Sequence, residues 1–73
     1  MTEPNSNPQP HELDKALRRL VLARASAISG RVLARIATVS DDLDAGHHLA
    51  ALGGLDGIER EVTTMRNFLL LLS

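Results

Sequence analysis

The chain has 73 residues, eight Lys or Arg against nine Asp or Glu, a formal net charge of −1, no Cys, Trp or Tyr, and one Phe. That length allows one small domain with a marginal core, because the fraction of surface buried on folding falls as chains shorten. The lack of Cys excludes disulfides and thiolate metal sites, and the scarcity of aromatic rings excludes a stacking platform for single-stranded nucleic acid.

The near-neutral total conceals a partition. Lys15, Arg18, Arg19, Arg24, Arg31 and Arg35 lie between positions 15 and 40 without one acid, whereas Asp41, Asp42, Asp44, Asp56, Glu59 and Glu61 come after them against only Arg60 and Arg66. Arginine outnumbers lysine seven to one, as in chains from GC-rich bacterial genomes.

Residues 1–9 are polar, contain Pro4 and Pro8, and have no apolar side chain beyond Met1, so they read as a disordered tail. They also lack the charged and apolar regions of an export signal. The longest apolar run, Phe68 to Leu72, is far short of the roughly 20 residues that span a bilayer. The expected location is cytoplasmic.

A first helix is expected over about 10–39. Pro10 suits the first turn, where no N–H is needed, and Glu12 and Asp14 suit the positive end of the helix dipole. Leu17, Val21, Ala25, Ile28, Val32, Ile36, Val39 and Leu43 recur at spacings of 4, 4, 3, 4, 4, 3 and 4, which marks one apolar face. Gly30 inside this run costs about 1 kcal/mol relative to Ala and does not end so long a helix.

The turn is expected at about 40–46, with Ser40 as N-cap and Asp41, Asp42 and Asp44 in the first turn of the second helix. Asp56 with Glu59 three residues on is an alternative start, and Gly53-Gly54 an alternative break. One second helix over about 47–72 is favoured over further division. Leu55, Ile58, Val62, Met65, Leu69 and Leu72 alternate at spacings of 3 and 4 along it, a heptad seam that reads as core.

A turn centred near Asp42 brings together residues whose numbers sum to about 85. Ile28 then faces Gly57, Arg24 faces Glu61, Arg31 lies near Gly54 and Asp56, Leu17 lies beside Phe68, and Leu13 beside Leu72. Small residues fall where the helices meet: Ala23, Ala25, Ser26, Ala27, Ser29 and Gly30 in the first, Ala50, Ala51, Gly53, Gly54 and Gly57 in the second.

The residues that carry chemistry elsewhere have no partners here. His47 and His48 are adjacent and point about 100° apart on a helix, so they do not share a metal as an i, i+4 pair does. Asp44 and His48 stand four apart without a third ligand, and His11 is remote. Ser26, Ser29 and Ser40 have no argued base. The reading is a non-enzyme with no catalytic residue, no metal and no cofactor.

Two surfaces remain. Arg24, Arg31 and Arg35 stand at i, i+7 and i+11, either paired with the acidic half or tracking a phosphate backbone. The terminal Phe-Leu-Leu-Leu-Leu run is apolar all round, so part of it faces another chain: a second copy first, another protein next, and a membrane surface last for want of basic residues. The expected interface is Leu55, Ile58, Val62, Met65, Phe68, Leu69 and Leu72.

The expected fold is therefore all-α, a two-helix antiparallel hairpin that dimerises into a four-helix bundle. Its expected function is protein–protein interaction, as a regulatory or chaperone-like adaptor. The alternative is an RNA- or DNA-binding hairpin dimer using Arg24, Arg31 and Arg35. In length and helix pattern the chain resembles small bacterial hairpin proteins such as quorum-sensing anti-activators, type III secretion co-chaperones and the plasmid copy-number regulators that bind RNA loops. That resemblance carries over no site residue.

Overall fold

Gly46 sets the geometry of the chain. In the computed structural model, which describes residues 10–73, α1 (Pro10–Asp44) runs up to it and α2 (His48–Leu70) returns antiparallel beside α1. Gly46 has φ 78°, a left-handed conformation that glycine adopts without a Cβ penalty. The His47 N–H donates to the Asp42 carbonyl at 2.7 Å and the Gly46 N–H to the Leu43 carbonyl at 3.0 Å, the paired bonds of a Schellman stop. The expected tail over residues 1–9 lies outside the described residues.

This stop corrects the expected turn. Ser40, Asp41 and Asp42 do not begin the second helix; they continue α1, which passes through Gly30 and ends at Asp44. His47 holds the N-cap position of α2 without a side-chain cap, and the Ala51 N–H donates to the His47 carbonyl at 3.0 Å. Neither Gly53-Gly54 nor Asp56 interrupts α2. At its far end the N–H groups of Leu71, Leu72 and Ser73 reach back three residues to Phe68, Leu69 and Leu70, tightening the last turn.

Moving the turn moves the register. Arg31 meets Glu61, an added Cβ on Gly57 meets Arg35, and one on Gly54 meets Val39, so facing residues have numbers summing to about 92. The expected pairs of Arg24 with Glu61 and Ile28 with Gly57 are thus each displaced by seven residues along α1. Seven residues are about two helical turns and return to nearly the same face. The apolar pattern therefore tolerates both registers, and the Gly46 stop selects this one.

The core is small. Val21, Ala25, Ile28 and Val39 of α1 and Ala51 of α2 are the buried apolar side chains, with Gly57 also buried. Ala25, Ala51 and Gly57 leave room for close backbone approach, as the clustering of small residues implies. In this register the end of α2 comes level with the start of the buried stretch, at Val21. The preceding stretch of α1 extends past it, and residues 11–20 are exposed throughout, Leu13 and Leu17 among them. Leu17 therefore lacks the expected cover.

Candidate interaction surface

Each helix carries two apolar stripes, and only one of each pair is used within the chain. On α2, Ile58, Met65 and Phe68 are half-buried on the side towards α1, along with Gly54 and Glu61 and beside the buried Gly57, and Leu72 just past its end is half-buried too. Leu55, Val62 and Leu69, spaced at seven-residue intervals, lie on the neighbouring flank and remain 42–44 % exposed. The single heptad seam of the sequence is therefore divided between two directions.

The first helix shows the same division. Val21, Ala25, Ile28 and Val39 point into the hairpin, while Ile36 and Leu43, which the sequence places on the same face, are 49 % and 60 % exposed. With Leu22, Ser29, Leu33 and Ser40 they form a second row at spacings of 7, 4, 3, 4 and 3. The spacing signal for this row is present in the sequence, but Ile36 and Leu43 also fit the first row, which masks the second.

Helical phase at about 100° per residue places the two spare rows on one side of the hairpin. The contact of Arg35 with the Gly57 position fixes the opposite side, to which Arg24 and Arg31 also belong. The hairpin thus has an apolar face, made by Leu22, Leu33 and Ile36 with Leu55, Val62 and Leu69, and an arginine face behind it.

On the arginine face, Arg31 Nε donates to Glu61 Oε2 at 2.7 Å. The Glu61 side chain is 19 % exposed and that of Arg31 56 %. The hydrogen bond from Arg31 is the main influence holding the Glu61 carboxyl below its ordinary pKa, against the opposing effect of desolvation, with further help from the charges of Arg31 and Arg35. The Arg31 guanidinium is correspondingly raised, first by the hydrogen bond and then by the charge of Glu61. Arg35 lies across Gly57, where an added Cβ would stand 2.8 Å from Nη1. Arg24 makes no ion pair among the described residues.

No group of three or more His, Asp or Glu side chains is placed to hold a metal among the described residues. His47 and His48 sit at the start of α2, far along the hairpin from His11. The surface concavities are shallow: one is lined by Asp56, Glu59, Arg60, Thr63 and Thr64, all on α2, and another by Thr64, Asn67, Phe68 and Leu71 at its far end. Among the described residues no helix is long and apolar enough to cross a membrane.

No protein-family model, no curated protein and no solved structure matches the chain.

Proposed function

We propose that this chain is a protein–protein interaction module that acts by covering its apolar face with another helical surface, and that a second copy completes a four-helix bundle. One observation carries the reading. Three large aliphatic side chains, Val21, Ile28 and Val39, are buried, whereas fourteen large apolar side chains are exposed among the described residues. A hairpin with so little core gains stability by association, and a broad apolar surface is the usual mark of a protein contact. Presenting or masking that face is the means by which a regulatory or chaperone-like adaptor would work.

The alternative, nucleic-acid binding along Arg24, Arg31 and Arg35, finds less support. Arg31 is engaged by Glu61, Arg35 is laid over Gly57, and the net charge of −1 supplies no general attraction to phosphate. Salt separates the two readings, because phosphate contacts release counterions and weaken steeply as salt rises. The test tracks self-association by sedimentation, and binding of labelled RNA hairpins and duplex DNA, at low and high salt. Self-association that persists at high salt supports the interaction module. A monomer that binds nucleic acid with a steep salt dependence overturns it.

A further inference from the structure

We infer that the apolar face receives a second copy of this chain in antiparallel orientation, about a two-fold axis that passes beside Val62. The inference rests on the self-association proposed above and specifies its geometry. Three independent features meet at that axis.

The first is the spare row of α2. Leu55 and Leu69 stand seven residues to either side of Val62, so an antiparallel copy centred on Val62 places Leu55 against the partner's Leu69, and Val62 against the partner's Val62. A surface that matches itself in this way is what a two-fold dimer requires.

The second is charge. Glu59 and Arg66 lie beside this row, three and four residues from Val62 on either side, and form no ion pair within the chain among the described residues. The same axis sets Glu59 next to the partner's Arg66, twice per dimer. On α1 the level of Val62 is that of Gly30, since facing residues sum to about 92. Reversal about that level brings Lys15, at the open end, alongside the partner's Asp44, at the turn end, while Arg18 keeps its pairing with Asp14 of its own chain at 3.5 Å.

The third is length. α1 extends beyond the end of α2, and residues 11–20 are exposed, with no cover from α2. Antiparallel pairing about Gly30 lays residues from about 16 onwards along the partner's α1, so about half of the overhang gains a neighbour. In the parallel arrangement, where α1 packs against the partner's α2, that stretch lies opposite no helix at all.

The chain has no Cys, so introduced cysteines report geometry without background. A disulfide needs Cα atoms within about 7 Å, whereas residues fourteen apart on a helix are separated by about 21 Å. Under oxidising conditions the full chain carrying Val62→Cys is expected to run as a covalent dimer. The doubly substituted Leu55→Cys, Leu69→Cys chain is expected to do the same, and Leu55→Cys alone to remain largely uncrosslinked. As a second readout, Glu59→Arg should weaken the dimer several-fold and the further change Arg66→Glu should restore it. Crosslinking of Leu55→Cys alone as readily as Val62→Cys would overturn the inference in favour of parallel α2 helices. A chain that sediments as a dimer but links through neither Val62→Cys nor the double substitution would overturn it while leaving self-association intact. A sedimenting monomer would overturn both.

Discussion

Arg31 reaches across the hairpin and donates from Nε to Oε2 of Glu61 at 2.7 Å, the ion pair that joins α1 to α2 among the described residues. It is a register marker. Sliding α1 along α2 by two turns would keep apolar residues on the inner face but would move Glu61 away from Arg31 and bring it to Arg24. The bond therefore distinguishes arrangements that the apolar pattern leaves nearly equivalent.

Reversing this pair tests the register. Arg31→Glu and Glu61→Arg should each lower the urea midpoint, by leaving like charges in contact, and the double reversal should recover most of the loss. Arg24→Glu combined with Glu61→Arg should show no such recovery. Recovery with Arg24 in place of Arg31 would mean that the helices pair seven residues away.

Acid should remove what this pair contributes. The Glu61 pKa is lowered in the folded chain, so its contribution is complete above the ordinary carboxylate value of about 4.3 and disappears as pH falls through the lower folded value. Urea denaturation monitored by circular dichroism at a series of pH values between about 5 and 2 should show a steeper loss for the native chain than for Glu61→Gln. Equal slopes would show that Glu61 is unpaired in solution.

Adjacent glycines should respond with opposite sign. An added Cβ at Gly53 meets nothing within 4 Å, so Gly53→Ala should stabilise α2 by about 1 kcal/mol through helix propensity. At Gly54 the same atom would stand 2.5 Å from Val39 Cγ2, a short branched side chain with little freedom to move, and Gly54→Ala should cost about 1–3 kcal/mol. At Gly57 the obstruction is the far end of Arg35, so Gly57→Ala should fall between them. Thermal melts of the three variants decide the order; stabilisation by Gly54→Ala would contradict the contact with Val39.

Gly46→Ala should destabilise the hairpin, by roughly 1–2 kcal/mol for a left-handed non-glycine residue, because Gly46 holds φ 78°. Gly30→Ala, in a helix interior with nothing within 4 Å of the new Cβ, should do the reverse. A neutral Gly46→Ala would mean that α1 does not stop there.

These contrasts show where the sequence is informative. Two helices folding back with small residues between them are legible from period and composition, and the extent of α2 is nearly so because its apolar residues recur so regularly. The turn is not, because Ser40, Asp41 and Asp42 imitate a helix start while lying inside an unbroken apolar row. Gly46, the residue that ends α1, carries its signal in a backbone angle rather than in a pattern. The proposed interface is half legible. Regular spacing identifies Leu55, Val62 and Leu69 as apolar seam positions, but spacing alone does not say which of two adjacent stripes meets the neighbouring helix. The flank occupied by Leu22, Leu33 and Ile36 emerges only once Arg35 and Gly57 fix the sides of the hairpin.

The most direct test of self-association is the mass of the full chain in solution, measured by sedimentation equilibrium at micromolar concentration. The native chain should have at least twice the 7.9 kDa of one copy. Val62→Asp, which sets a charge in the apolar face, should reduce or abolish association, whereas Thr63→Asp, on an exposed position of the same helix, should leave it unchanged. A native chain that is fully helical and sediments as a single copy throughout that range would contradict the account.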